Sequence, residues 1–313
     1  MNKIFECLEY VFYYFGAKIG TILKRKQKKV AGKIILGKED SKKYIKNVLL
    51  EKEPQMICRF GSVEAGAINE YIQKKLGLRK KYSNTCKSTM VNNAGFFAPK
   101  EKLDEMLDMF SEQMLKACSS VNLIAHWNHC ERYIFKKYMD KSVLFCQLGG
   151  LYEKSKSKNP YTHSLKGKKV LVVHPFEKSI KTQYERKDLV FPNGFLPEFE
   201  LLTVKAVQTI AGTRDERFSN WFEALEYMKN EIDKIDFDIA IIGCGAYGFL
   251  LAEHVKKRGK IALHLGGGAQ LLFGIMGKRW EATNKHLINE YWVHPNEEET
   301  PRNAKAVENG CYW

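Results

Sequence analysis

Two glycine-rich turns near the end of the chain contain the residues best placed to bind a ligand and do chemistry. One is Gly243-Cys244-Gly245-Ala246-Tyr247-Gly248, after the apolar run at 237–242, and the other is Gly266-Gly267-Gly268, after the run at 261–265. Short β-branched runs bounded by glycines predict buried strands, and the residues between them have helical spacing. Because glycine has no Cβ, backbone amides here can approach a phosphate or a sugar, and a helix N-terminus favours an anion. The pattern therefore predicts a βαβ unit that holds a nucleotide-like ligand.

The first turn matches G-x-G-x-x-G, which is weak evidence when it stands alone. A dinucleotide site would place an acidic residue at the end of the second strand, where this sequence has His264 and Gly266. An NAD enzyme is therefore disfavoured. The alternative that stays open is that Gly243, Gly245 and Gly248 only let helix and strand pack closely.

Polar residues also follow the other predicted strands, which we place at 54–60, 121–125, 142–146, 169–173 and 201–207. In open α/β sheets, ligands bind outside the carboxyl ends of the strands. The residues that follow the strands are Arg59 to Glu64, His126 to His129, Gln147, His174, Gly243 to Gly248, and Gly266 to Gln270. We therefore predict one functional cleft at this edge of the sheet.

Several of these residues also have simpler explanations. His126 and His129 are three apart, as metal ligands can be, but they leave a strand instead of lining a helix face. His174 precedes a proline and is expected either to bond the strand end or to bind phosphate and transfer a proton. Arg59 and Glu64 flank a glycine turn, where a plain ion pair is the alternative to ligand binding.

The composition favours a globular protein with an anionic partner. The 313 residues include 51 Lys+Arg and 36 Asp+Glu, for a net charge of +15, which favours a nucleotide or a phospholipid surface. Nucleic acid is not expected, since the basic residues are dispersed and no recognition motif accompanies them. Eight cysteines without a C-x-x-C pair indicate reduced thiols in the cytoplasm.

Alternating strands and helices predict an α/β fold, a Rossmann-like, mostly parallel sheet with helices on both faces. We expect residues 1–36 to form an N-terminal helical segment and residues 37–313 to form the α/β domain, with a possible hinge at 153–168. Residues 79–98 are expected to be a polar loop, and a helix is expected to start at Pro99. The oligomeric state is left open.

The first 29 residues predict an amphipathic helix followed by a basic cluster. One side carries Ile4, Phe5, Leu8, Val11, Phe12, Phe15, Ile19, Ile22 and Leu23, and the other carries Lys3, Glu6, Glu9, Lys18, Thr21 and Lys24. The longest uncharged run, at 10–17, is too short to span a bilayer. A wide apolar face before Lys24-Arg25-Lys26-Gln27-Lys28-Lys29 is typical of a helix lying on an anionic membrane surface. Packing on its own domain or on a second subunit is an equal alternative.

The strand-end motifs resemble a known family. Arg59-Phe60-Gly61-Ser62-Val63-Glu64 resembles the R-F-G-D-G-E segment of the GT-D fold glycosyltransferases. The wider pattern resembles a GT-D-like branch of bacterial surface-polysaccharide proteins. It comprises His174-Pro175-Phe176, the turn from Gly243 to Gly248, Gly266 to Gln270 with Phe273-Gly274-Ile275, Gly277-Lys278-Arg279-Trp280, and Gly310-Cys311-Tyr312-Trp313. The similarity covers roughly residues 38–313.

The resemblance implies a metal and a nucleotide-sugar diphosphate at the D-x-E motif. Here Glu64 matches the second acid, and Ser62 stands in place of the first. A hydroxyl can ligate a hard cation but brings no charge. The implied Mg²⁺ or Mn²⁺ at Glu64 and Ser62 is therefore expected to bind weakly.

The resemblance further implies a sugar transfer from a nucleotide-sugar donor to a lipid-linked or cell-surface glycan. We expect the enzyme to be cytoplasmic, and peripheral on the inner face of the plasma membrane if the N-terminal helix binds lipid. Glu64 and His174 would be catalytic, and His174, Lys278 and Arg279 would neutralise the leaving nucleotide. Our hypothesis is that the nucleotide-sugar-binding residues are Arg59, Gly61, Ser62, Gly243, Gly245, Tyr247, Gly248, Gly266, Gly267, Gly268, Gln270, Lys278 and Arg279. The alternatives are a Rossmann-type methyltransferase and a non-catalytic nucleotide-sugar or glycan binder in a polysaccharide assembly complex.

Overall fold

A nine-stranded sheet runs through the centre of the protein, with helices on both of its faces. The structure is a computed structural model that describes residues 3–22, 28–307 and 309–313, without the side chains of residues 15, 17–22 and 282. The predictions for the side chains of Phe15, Lys18, Ile19, Thr21 and Ile22, and for residues 23–27, lie outside what it describes.

The strands are β1 (Lys29–Val30), β2 (Lys33–Leu36), β3 (Gln55–Arg59), β4 (Leu123–His126), β5 (Leu144–Gln147), β6 (Lys169–His174), β7 (Glu200–Lys205), β8 (Ile239–Ile242) and β9 (Ile261–His264). Their order across the sheet is β1-β2-β5-β4-β3-β9-β8-β6-β7. Every pairing is parallel except that of β1 with β2. The predicted mostly parallel α/β fold is confirmed.

The helices are α1 (Lys3–Ile22), α2 (Lys38–Glu51), α3 (Ser62–Leu76), α4 (Asn84–Asn92), α5 (Leu103–Ala117), α6 (Glu131–Tyr138), α7 (Glu177–Glu185), α8 (Lys187–Val190), α9 (Trp221–Asp233), α10 (Gly248–Lys257) and α11 (Lys278–Asn284). Short 3₁₀ turns connect several of them.

Successive residues of the central strands enter two separate apolar layers. On β3, Met56 and Cys58 pack into the layer that contains α3, α5, α9 and α10, while Ile57 packs into the layer that contains α2 and α7. Side chains alternate across a strand, so a strand covered on both faces is apolar at consecutive positions. This explains why the strands appear in the sequence as continuous apolar runs.

The prediction of a loop over residues 79–98 is wrong between Asn84 and Asn92, where the chain forms α4. The Ser83 hydroxyl caps this helix by accepting a hydrogen bond from the Cys86 amide at 3.1 Å. Only Cys86 and Met90 of α4 are buried. Two buried positions are too few to produce a visible apolar period, so the sequence gives no clear helical signal.

The N-terminal helix is present as predicted and packs on α3 and α6. Buried Tyr10 makes an edge-to-face contact with Tyr133 at 5.0 Å between ring centroids. The Glu6 carboxylate pairs with the ammonium of Lys137 at 3.1 Å. Within the described residues, no helix is both long enough and apolar enough to cross a bilayer.

The residues at the proposed boundary at residue 36 and within the proposed hinge at 153–168 contact the main sheet and α2. Strand β2 pairs with β5, so residues 33–36 extend the main sheet. Within 153–168, buried Glu153 pairs with Lys42 at 2.7 Å, and Tyr161 and Leu165 are buried beside α2. The division at residue 36 and the hinge stay predictions.

Candidate functional site

A cavity of about 310 Å³ lies at the carboxyl ends of the central strands β4, β3, β9, β8 and β6. We call it the main cavity. The sequence-predicted residues that line it are Arg59, Gly61, Ser62, Glu64, His174, Gly243, Gly245, Tyr247, Gly266, Gly267, Gln270 and Arg279. These residues are dispersed along the chain, and the parallel sheet brings them to one edge.

Arg59 ends β3, and its guanidinium lies across Gly266, at the end of β9. Gly266 has φ of +57°, and a Cβ added there would lie 2.4 Å from Arg59 Nη2. Nη1 donates to the Phe60 carbonyl at 2.9 Å, whereas buried Nε has no hydrogen-bond partner. A buried guanidinium N–H without a partner is costly, and a ligand oxygen would satisfy it.

Glu64 lies in the first turn of α3 and is 8% exposed. Its carboxylate lies over Gly61, so close that a Cβ on Gly61 would be 1.8 Å from Oε2. Among the described residues, no hydrogen bond or ion pair involves this carboxylate, and none joins it to Arg59. The simple explanation of an Arg59–Glu64 ion pair therefore does not describe this structure.

His174 ends β6, is buried and lines the main cavity. Its Nδ1 accepts a hydrogen bond from the Phe176 amide at 3.0 Å, which places the ring proton on Nε2. Burial lowers the pKa of His174 to about 3. At neutral pH the ring is therefore an uncharged N–H donor. It does not bring the positive charge that neutralising the leaving nucleotide would require.

His264, at the end of β9, is a second buried histidine. Burial, and to a lesser degree the charge of Arg59, lowers the pKa of His264 to about 3. Its Nδ1 has no hydrogen-bond partner. Two histidines thus stay neutral in the folded chain at pH values where an unfolded chain would protonate them.

We expect these two histidines to make the protein acid-sensitive. Between the ordinary pKa of 6.5 and about 3, the unfolded chain binds more protons than the folded chain. The free energy of unfolding should therefore be fully retained above pH 6.5 and should fall below it, by roughly 1 kcal/mol per pH unit for each histidine. Urea denaturation at a series of pH values measures the slope.

His264→Gln should reduce that slope by about half, because one of the two groups is removed. The matched control is His286→Gln at an exposed position. The slope, not the absolute stability, is compared, because the substitution also changes packing. An unchanged slope in His264→Gln would show that the pKa of His264 is the same in the folded and the unfolded chain.

The wall beside the Gly243 turn is fixed by aromatic packing. Tyr247 stacks on buried Trp221 at 4.7 Å between centroids, with the rings 6° from parallel. The Tyr247 hydroxyl lies 3.1 Å from Thr209 Oγ1, which donates to the Gly95 carbonyl at 2.5 Å. The loops after α4 and β7 are thereby held against the turn.

The C-terminal segment forms another wall. Gln270 Nε2 donates to the Tyr312 carbonyl at 3.2 Å, and the Arg279 amide donates to the Cys311 carbonyl at 3.1 Å. The Arg279 guanidinium lies 4.8 Å from the centre of the Tyr312 ring. Arg279 is itself exposed at the rim of the main cavity.

Three of the proposed nucleotide-sugar-binding residues do not line the main cavity, and neither do His126, His129 and Gln147 from the predicted cleft. Gly248 lies against His264, where an added Cβ would be 2.4 Å from the ring, and Gly268 lies against Tyr152 at 2.3 Å. Both glycines therefore allow close packing inside the protein. Lys278 is exposed on α11, with its ammonium 3.4 Å from the Asn309 carbonyl.

Sequence reasoning also passed over part of the lining. Gln208 and Thr209 follow β7, and Val207 to Ile210 all face the main cavity. Their position after a predicted strand was the feature of the sequence that could have placed them in the predicted cleft. Trp127 belongs to the stretch from His126 to His129 that the sequence placed at the cleft. It is 42% exposed and lines the main cavity, and its indole N–H donates to the Phe60 carbonyl at 3.0 Å.

The residues present are a poor fit for a tightly held divalent metal. Glu64 is the one acidic residue that lines the main cavity in the described part of the chain. The described residues contain no group of three or more His, Cys, Asp or Glu that could hold an ion. His126 instead lies 2.9 Å from the Glu131 carboxylate. A single carboxylate with the Ser62 hydroxyl provides less charge than Mg²⁺ or Mn²⁺ sites commonly use.

Comparison with known proteins gives a family but no close relative. No curated protein matches the chain. A solved selenomethionine-substituted domain, titled domain of unknown function 1792, is 14% identical with a TM-score of 0.44, over 85% of this chain and 92% of that chain. The model of the GT-D fold-like domain family matches residues 36–272, which include β3, β6, β8 and β9 with their turns. The chain therefore belongs to the GT-D fold-like domain family.

Proposed function

We propose that this protein is a glycosyltransferase that uses a nucleotide-sugar donor. The observation that supports this most is the pairing, in one cavity, of a carboxylate and a guanidinium that do not neutralise each other. A diphosphate requires cations and N–H donors, and the reacting sugar requires a carboxylate nearby. The family assignment adds a glycosyltransferase-type fold.

The donor diphosphate would lie between β3 and β9. Arg59 has an unused N–H, neutral His174 offers Nε2–H, and Arg279 adds charge at the rim. Helix α3 begins at Ser62, and its cap residue Gly61 provides no side-chain acceptor for the first amides. Those amides favour an anion. Gly245 leaves the backbone of its turn open to the cavity, whereas a Cβ on Gly243 would lie 2.6 Å from the His174 ring and one on Gly267 would lie 2.5 Å from Tyr312.

In the proposed step, an acceptor hydroxyl oxygen forms a bond to the anomeric carbon of the donor. The bond from that carbon to the diphosphate oxygen breaks, and the leaving nucleotide takes its electron pair. Glu64 accepts the proton of the hydroxyl. Arg59 stabilises the charge that develops on the leaving diphosphate, which is the main source of rate enhancement in such sites. No part of this step depends on a metal.

The acceptor in this proposal is a lipid-linked or surface glycan. Helix α1 lies on an anionic membrane. Phe5, Leu8 and Phe12 of α1 are 60%, 64% and 74% exposed, while the opposite side of the helix packs on the domain. The basic cluster at 24–29 and the net charge of +15 complement anionic lipids. This arrangement would hold the enzyme on the inner face of the plasma membrane.

A thermal-shift panel tests the function. We expect one class among UDP-, GDP- and CDP-sugars to raise the melting temperature, with a small added effect of Mn²⁺. S-adenosylmethionine as the stabilising compound would instead indicate a methyltransferase. Nucleotide-sugar binding without donor hydrolysis or transfer would indicate a binding scaffold. If none of these compounds binds, the proposal is wrong.

Arg59→Gln should weaken binding of the stabilising nucleotide sugar by about 10- to 100-fold, because charge-assisted hydrogen bonds to phosphate are lost. Calorimetric titration measures the affinity. Arg258→Gln is the matched control, since Arg258 bonds the carbonyl of Ile232 at the opposite edge of the sheet. Equal affinities in both variants would remove Arg59 from the donor site.

A further inference from the structure

A second cavity, of about 400 Å³, opens between α1, α3 and α4 and adjoins the main cavity. We call it the side cavity. Ser62 and Val63, at the start of α3, line both cavities. A molecule in the side cavity can therefore extend to the residues beside Glu64.

One face of α3 connects the two cavities. Ser62, Gly66, Asn69 and Gln73 follow one another at intervals of four, three and four residues, and all four line the side cavity. That spacing places residues in a single stripe along a helix. The stripe runs from the N-terminus of α3, at the main cavity, to the part of α3 that packs on α1.

Gln73 of this stripe and three other polar residues that line the side cavity belong to one hydrogen-bonded chain. Glu70 accepts from the Ser83 hydroxyl and amide, both at 2.7 Å, and its carboxylate lies 3.4 Å from Arg79. Arg79 Nε donates to Gln73 at 3.1 Å, and Gln73 donates to the Tyr10 hydroxyl at 2.9 Å. The chain links α1, α3 and the start of α4, so these side chains are held in place.

The two cavities differ in charge. In the side cavity Glu70 and Arg79 balance each other, whereas Arg59 and Arg279 exceed Glu64 in the main cavity. The side cavity thus offers amide, hydroxyl, carboxylate and guanidinium groups without net charge. Such a set suits the hydroxyls of a neutral sugar, and Glu70 would repel a phosphate.

Gly66 is a glycine in the interior of α3 that no neighbour requires. A Cβ there would meet nothing within 4 Å, and its φ lies outside the left-handed region. Glycine in a helix interior is unfavourable relative to alanine. Gly66 forms part of the floor of the side cavity, and the space above it is unfilled.

We infer that the side cavity is the acceptor site, and that it binds the neutral sugar ring of a glycan whose reacting hydroxyl points toward Ser62 and Glu64. This inference rests on the proposed glycosyltransferase function. Tyr14 of α1 also lines the side cavity. The outer end of the side cavity therefore lies beside α1, the helix that we place on the membrane. A lipid-linked glycan could enter from that end.

Octyl glucoside, octyl galactoside and octyl N-acetylglucosaminide, below their micelle concentrations, are suitable probes of the full-length protein. The matching methyl glycosides test whether the lipid chain is needed. Pentaethylene glycol monooctyl ether has the same chain without a sugar. Calorimetry or ligand-observed NMR gives the affinities, and donor binding is measured on the same samples.

At least one glycoside should bind the parent protein, and the ether should not. Gly66→Phe should weaken glycoside binding by about tenfold or more, because the ring fills the space of the sugar, whereas Gly66→Ala should bind like the parent. Thr85→Trp, on the α4 wall, is a second blocking variant in case Gly66→Phe does not fold. Both blocking variants should bind the nucleotide sugar as the parent does.

The inference is overturned if no glycoside binds the parent, if the ether binds equally well, or if both folded blocking variants bind glycosides unchanged. Failure of the proposed function looks different. In that case no nucleotide sugar binds the parent, while glycosides still bind and Gly66→Phe still abolishes their binding. The side cavity would then be a glycan site in a protein that is not a transferase.

Discussion

Glu64→Gln should lower the rate of sugar transfer and of donor hydrolysis by about 10²- to 10⁴-fold, with little change in donor affinity. The amide keeps the shape of the carboxylate but cannot take the proton of the attacking hydroxyl. In the structure the carboxylate has no hydrogen bond or ion pair among the described residues. Its loss therefore leaves no protein group in need of a partner, so the fold should be retained. Single-turnover rates and calorimetric donor affinity separate the two effects.

Two further variants make this result specific. Glu226→Gln removes an exposed carboxylate on α9 and should leave the rate unchanged. Ser62→Asp supplies the acid that the D-x-E motif lacks, at the start of α3, where negative charge is favoured. It should tighten Mn²⁺ binding and preserve or raise turnover. If Glu64→Gln turns over donor as fast as the parent, Glu64 is not the base and the proposed mechanism loses its central residue.

The sequence was informative about the site because parallel strands end at a common edge. Arg59, His174, Gly243 and Gly266 each follow an apolar run, and these runs are identifiable without any knowledge of their order in the sheet. Only the pairing of β3 with β9 brings Arg59 onto Gly266, and that pairing joins strands far apart in the chain. The residues were therefore predictable, but their contacts were not.

Burial explains the parts that the sequence did not predict. The charge state of His174 depends on the removal of water around the ring, which a short motif does not reveal. Gly248 completes G-x-G-x-x-G, yet its role in the structure is to make room for His264. Helix α4 is held by the Ser83 cap and two buried side chains, so it lacks the periodicity on which helix prediction depends.

Replacing Phe5 and Phe12 together with aspartate should release the protein from anionic vesicles. Burial of a phenylalanine side chain contributes about 1.5–3 kcal/mol, so the double variant should bind vesicles on the order of 10²- to 10⁴-fold more weakly. Both rings are already exposed, so the fold should not depend on them. Co-sedimentation with phosphatidylglycerol vesicles and with neutral phosphatidylcholine vesicles measures the partition at two salt concentrations.

The matched control is Leu50→Asp with Leu189→Asp. These leucines are 57% and 51% exposed and belong to α2 and α8, on the other face of the sheet. The control makes the same change in charge, so a general electrostatic effect would weaken vesicle binding equally in the two double variants. A specific effect of α1 should appear in the Phe5 and Phe12 variant alone. Binding of the parent should also fall with salt, because the basic residues at 24–29 contribute by charge.

The same variants distinguish a membrane from a second subunit as the partner of α1. A helix packed on another copy of the chain would give a parent dimer, and the Phe5 and Phe12 variant would be monomeric by sedimentation velocity. Vesicles would then bind parent and variant equally. With a membrane as the partner, the oligomeric state is the same in both proteins, and only the variant fails to sediment. Transfer to a lipid-linked acceptor should then decrease in the variant, while hydrolysis of the soluble donor is retained, because the main cavity is unchanged.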